Sequence, residues 1–157
     1  MSETKKQKEN LQKIADYLKK AKIIFKWTEI PSEEGESMPA LLTSYSYKGY
    51  KFDVLILSVA TWVMVQCYIL DTKPIEEEIV PKLYELCLEL NFNLPETTFS
   101  LYNGQIFVEA DMPVTVSYND FLNVEMKSIG AGIDAFLDEL GIENVKVEDT
   151  KGKIKIE

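Results

Sequence analysis

The run from Thr61 to Leu70 constrains the fold of this chain more than any other stretch. Val63, Val65, Cys67 and Ile69 alternate there with Trp62, Met64, Gln66 and Tyr68. A period of two, rich in β-branched and aromatic residues, predicts a central strand with one aliphatic and one aromatic, amphipathic face. Such a strand belongs in a sheet that packs helices on its aliphatic side, and the rest of the chain supplies three of them.

The first predicted helix spans about Thr4 to Ala21. Leu11, Ile14, Ala15, Leu18 and Ala21 form its buried stripe, and Lys6, Lys13 and Lys20 its solvated back. Three or four strands follow: Ile23 to Ile30, an acidic loop from Pro31 to Pro39, Ala40 to Lys48, a tight Lys48-Gly49 turn, Tyr50 to Leu57, and the central strand. A second helix is expected from Ile75 to Leu90. Glu76, Glu77 and Glu78 would compensate its dipole, and Ile79, Leu83, Leu86 and Leu90 form its stripe. Asn103-Gly104, between Thr98 to Tyr102 and Gln105 to Met112, predicts a type I′ hairpin. Ser117 with Asp120 caps a third helix, whose stripe of Leu122, Met126, Ile129, Ile133, Phe136 and Leu140 stops at Gly141.

The fold class is therefore α+β: an antiparallel sheet with three helices in the order α-β-β-β-α-β-β-α. Ile142 to Glu157 reads either as a terminal hairpin turning at Lys151-Gly152 or as a tail. No linker divides residues 1–157, so one domain is expected, with mobile ends at 1–6 and 150–157. Within the third helix, Ser128, Ala131, Gly132 and Ala135 make a strip of small residues. It admits a close backbone approach, either inside the molecule or between helices across a dimer.

Two absences limit the chemistry. There is no histidine, the commonest general base and zinc ligand. There is no arginine either; all 17 basic residues are lysines. Up to Lys22 seven lysines face three acids, and beyond it ten lysines face 23, giving a net charge of −9. Such a body repels a phosphate backbone and has no arginine to read bases, so no nucleic-acid partner is expected. Cys67 and Cys87 lie in apolar surroundings and are expected as free thiols; no metal and no cofactor is expected. Met1 to Gln12 is polar with no apolar run behind it, and the longest uncharged run, Leu55 to Leu70, is too short for a bilayer span. A cytoplasmic protein without a membrane partner is the expectation.

Paired carboxylates at Asp134 and Asp138, or at Glu109 and Asp111, could in principle serve acid–base catalysis. Both pairs also fall where exposed faces of amphipathic elements place charge, so they are not assigned as catalytic. Walker, EF-hand, G-x-S-x-G and H-E-x-x-H patterns are absent.

The order of elements resembles the type III secretion chaperone-like fold, and especially its YbjN-like branch. The likeness is strongest from Asn91 to Leu140, which holds a hairpin, a Pro-ended strand, the aromatic "SYNDF" helix start and a small-residue helix centre. This resemblance implies a homodimer that holds a segment of another protein, without cofactor or catalysis. A small-molecule-binding regulator, or an enzyme of unfamiliar type using carboxylates, is the alternative. The partner-binding surface is expected on the sheet face of Trp62, Met64, Gln66 and Tyr68, joined by Tyr45 or Tyr47 from a neighbouring strand, because Trp, Tyr and Met are enriched in interfaces.

Overall fold

The computed structural model describes residues 2–32, 35–141, 145–148 and 153–156. Helix α1 (Glu3–Lys20) starts from Ser2, whose hydroxyl accepts a hydrogen bond from the Lys5 amide, and buries Leu11, Ile14, Ala15 and Leu18. Its lysine back is less free than the sequence suggests. The Lys13 ammonium donates to the Val114 carbonyl (3.1 Å), and that of Lys20 lies 4.1 Å from the Tyr118 ring centre.

Four strands follow, one more than the minimum expected: β1 (Lys26–Pro31), β2 (Ser37–Tyr47), β3 (Tyr50–Val59) and β4 (Trp62–Asp71). Part of the region read as an acidic loop is strand: Pro31 ends β1, and Ser37, Met38 and Pro39 begin β2. Glu29 of β1 pairs with Pro39, and β2 first meets β3 at Ala40, so Pro39 sits where β2 has no β3 neighbour. Lys48 and Gly49 both hold positive φ (44° and 88°), as do Asn103 and Gly104 (50° and 76°), the requirement of a type I′ turn.

Helix α2 (Val80–Asn93) begins five residues later than its apolar spacing indicates. Pro81, which lacks the N–H an interior turn needs, fits only the first turn, so Glu76, Glu77 and Glu78 lie in the turns ahead of the helix and not in its first turn. Strands β5 (Thr98–Tyr102) and β6 (Gln105–Pro113) then form the Asn-Gly hairpin. All six strands pair antiparallel in the order β1-β2-β3-β4-β6-β5.

The third predicted helix is realised as α3 (Tyr118–Asp120), a π-helical segment (Phe121–Met126) and α4 (Lys127–Leu140). The Ser117 hydroxyl accepts from the Asp120 amide at 3.1 Å, and Gly141 closes the run at φ 72°. The wider π winding has a packing consequence. In an unbroken α-helix Phe121 would lie about 80° around from Ile129; fewer degrees per residue turn it onto the buried side, where it is fully enclosed.

The helices cover the face of β4 that carries Val63, Val65, Cys67 and Ile69, all fully buried. Asn91 of α2 fixes the β5 edge: its amide accepts from the Phe99 N–H (2.6 Å) and donates to the Phe99 carbonyl (3.2 Å). Strands β7 (Val145–Glu148) and β8 (Lys153–Ile156) pair as a separate hairpin, with β8 running close to β4. The turn expected at Lys151-Gly152 lies outside the described residues.

Helix α4 approaches the sheet closely through two glycines. A β-carbon on Gly132 would stand 2.7 Å from the Thr97 methyl and 3.0 Å from a Val108 methyl; one on Gly130 would stand 2.7 Å from the Tyr45 ring. Thr97 and Val108 are β-branched and buried, so neither can swing aside. Gly132→Ala is expected to destabilise the protein by about 1–3 kcal/mol, despite the roughly 1 kcal/mol by which alanine favours a helix over glycine. The urea midpoint should fall with little change in slope; a midpoint at or above that of the wild type would show the approach to be soft.

Candidate functional site

The sheet has one face without helices. In register across its centre, Val59, Leu57 and Leu55 of β3 stand opposite Trp62, Met64 and Gln66 of β4, and Pro113, Asp111, Glu109 and Phe107 of β6 stand opposite Trp62, Met64, Gln66 and Tyr68. Trp62 is 50% exposed; Met64, Gln66 and Tyr68 are half-buried. The Gln66 amide donates to the Glu109 carboxylate at 3.1 Å, and the Tyr68 ring packs on that of Phe107 with centres 5.7 Å apart. Burial pushes the Tyr68 hydroxyl above its ordinary pKa, with Asp71 adding to the effect.

Tyr45 and Tyr47 do not join this face. Tyr45 pairs with Phe52, two residues from Val54, which in turn pairs with Cys67, so both tyrosines lie on the helix-covered side. Side chains that share a strand face differ by two positions in register, and the choice of face cannot be made until the strand pairing is known. There the two tyrosines fasten α4. The Tyr45 hydroxyl donates to Asp134 (2.9 Å), and that of Tyr47 donates to Asp138, which also pairs with Lys48 at 3.4 Å. Burial first, and then Asp134, raise the Tyr45 hydroxyl to about 12. The Tyr47 hydrogen bond, and then Lys48, hold Asp138 below the usual carboxylate range. The Asp134 and Asp138 carboxylates are thus engaged in tying helix to sheet.

The small-residue strip splits in the same way. Gly132 and Ser128 are buried against Thr97 and β6, and the Thr97 hydroxyl donates to the Ser128 carbonyl at 3.1 Å. Ala135 is half-buried and Ala131 is exposed. Close packing is therefore intramolecular at Ser128 and Gly132, and it extends to Gly130, outside the small-residue strip.

Glu109 and Asp111 border a feature that the sequence did not reveal. Strand β5 ends at Thr98, opposite Glu109, so from Ala110 onward β6 has no strand on its outer side among the described residues. The loop before β5 and the π-helical segment flank that edge and leave a notch of about 390 Å³. Its lining includes Phe92, Glu96, Glu109, Asp111 and Glu125, and no lysine. Burial, and beyond it Asp111, raise the Glu109 pKa; burial, then Glu96, Asp120 and Asp111, raise that of Glu125. Among the described residues, none of the four carboxylates forms an ion pair, and no three Cys, Asp or Glu side chains are placed to hold one metal ion.

The two thiols are free, and burial raises each to about 12. Both are protonated near neutrality and poor nucleophiles. No helix among the described residues is long and apolar enough to cross a membrane.

No family model and no curated protein matches the chain. Solved structures do. The ExsC-ExsE complex aligns over 85% of this chain and 92% of that one, at 14% identity and a TM-score of 0.50. YbjN from E. coli, described as a proposed transcription regulator, aligns over 79% of this chain and 88% of its own, at 13% identity and a TM-score of 0.52. The chain has the α+β fold of these structures.

Glu125 tests the electrostatics of the notch. Its pKa is raised on folding, so the ionised form opposes folding at neutral pH, and the lost stability returns as pH falls through the folded and then the unfolded value. Glu125→Gln is expected to raise the melting temperature at pH 7. The gain should close below about pH 4, where the wild-type carboxyl is protonated in both states.

Proposed function

We propose that this chain is a non-enzymatic, chaperone-like protein-binding module that works as a homodimer and holds a segment of another protein on its open sheet face. The observation that carries the reading is the half-exposed row of Trp62, Met64, Gln66 and Tyr68 on a strand whose other face is fully enclosed. An unused solvent face of an antiparallel sheet would carry Thr, Lys and Glu; aromatic and thioether side chains combine large contact area with adaptability. The fold shared with the ExsC-ExsE complex, in which two different proteins are bound, supports the same direction.

Self-association has its own surface. Leu88 and Phe92 of α2 and Leu101 and Tyr102 of β5 are all exposed, Phe92 by 90%, at one edge of the sheet. Adjoining large apolar side chains on a small domain mark an interaction surface. The acidic body argues against a nucleic-acid role, and two buried free thiols suit a reducing compartment such as the cytoplasm.

The two surfaces separate experimentally. A Leu88→Glu, Phe92→Glu variant should run as a folded monomer by light scattering, where the wild type runs as a dimer. A Trp62→Ala, Tyr68→Ala variant should stay folded and dimeric yet bind its partner more weakly by roughly thirtyfold, equivalent to about 2 kcal/mol. The partner is first identified as the protein enriched stoichiometrically by the wild type in a pull-down with mass spectrometry. Unchanged affinity in the second variant, or its failure to fold, would overturn the assignment of the open face.

A further inference from the structure

We propose that the terminal hairpin of β7 and β8 is an autoinhibitory cover that lies over the middle of the open sheet face and must be displaced by a captured segment, a regulation that rests on the protein-binding reading of that face. Strand β8 runs close to β4 although the two are not paired. Because β4 has β3 on one edge and β6 on the other, β8 can reach it only over one of its two faces. One of these is taken. Helix α4 touches both β2 and β6, which lie on opposite sides of β4, and so it crosses β4 on the helix-covered face. That leaves the face of Trp62, Met64, Gln66 and Tyr68 for the hairpin.

Burial on that face agrees. Ala40, Leu57 and Met64 form a row across β2, β3 and β4. Ala40 is fully buried and Leu57 nearly so, with no helix on that side, whereas Val59 and Trp62 at the end of β3 and the start of β4 are exposed. A side chain as short as that of alanine is enclosed on a sheet surface only when something is laid over it. The hairpin has the pattern for this. Its register sets Val145 opposite Ile156 and Val147 opposite Ile154, so these aliphatic residues share one face, and Lys146, Glu148, Lys153 and Lys155 share the other. A two-stranded hairpin is marginal alone and gains its stability from a larger apolar surface. Ile142, Glu143 and Asn144 join it to Gly141, at the end of a helix fastened to the sheet through Asp134 and Asp138. So short a tether keeps the hairpin at high effective concentration over the face, and its release leaves those fastenings in place.

The test uses the full chain with Val147→Asn and Ile154→Asn, which make the aliphatic face of the hairpin polar, and Nile red as a neutral fluorescent probe of uncovered apolar surface. The expected result is a cooperative thermal transition, as in the wild type, with Nile red fluorescence raised about threefold, and most of that rise removed when Met64→Gln is added. The partner protein enriched by the wild type should bind the double variant about tenfold more tightly, corresponding to a face uncovered in about one wild-type molecule in ten. Unchanged fluorescence, a rise that Met64→Gln does not reduce, or equal affinity of the partner for wild type and variant would overturn the proposal. So would loss of the cooperative transition, because a hairpin needed for folding is core and not a displaceable cover. Failure of the capture reading shows separately: Trp62→Ala, Tyr68→Ala would then hold the partner as tightly as the wild type, while Nile red still reports whether the hairpin covers the face.

Discussion

The architecture depends on how closely α4 lies against the sheet. Gly130 and Gly132 bring the helix backbone to within one side-chain layer of Tyr45, Thr97 and Val108, and this approach sets where everything around it can go. At that depth the Tyr45 and Tyr47 hydroxyls reach Asp134 and Asp138, and the Thr97 hydroxyl reaches the Ser128 carbonyl. The π-helical segment follows from the same demand. A helix held by glycines at one end must be rewound at the other before Phe121 can enter the core.

With every helix on one side, the two faces of the sheet divide their roles. Val63, Val65, Cys67 and Ile69 hold the molecule together, while Trp62, Met64, Gln66 and Tyr68 lie partly exposed on the face without helices. The early end of β5 adds polarity to this second face. One flank of β6 is paired and the other opens among carboxylates, so the surface runs from an aromatic centre to an acidic margin. A surface with such a gradient can orient what lies on it, because its two ends are chemically different.

The features legible in the sequence were those encoded by neighbours along the chain. The alternation of β4, the Asn103-Gly104 turn, the Ser117 cap and the Gly141 stop are local and appear where the residues indicate them. Facing was not legible at Tyr45 and Tyr47, because it depends on the register with β3, set by the Lys48-Gly49 turn and distant packing. Apolar spacing does not locate the start of α2, which Pro81 holds to the first turn. The notch was invisible because it comes from the unequal lengths of β5 and β6 and from Glu125 arriving across the fold. The two interior glycines did signal a close approach; their partners, Thr97, Val108 and Tyr45, could be found only in three dimensions.

The amide clamp of Asn91 on Phe99 has a consequence for how such molecules can associate. Sheet growth by strand pairing is open-ended only if each unit offers two bare edges, one to accept a neighbour and one to be accepted. Here Phe99, the second residue of β5, already has both outward backbone groups satisfied within the molecule, while β1 is paired only to β2. Edge-to-edge joining through β1 would therefore stop at two copies.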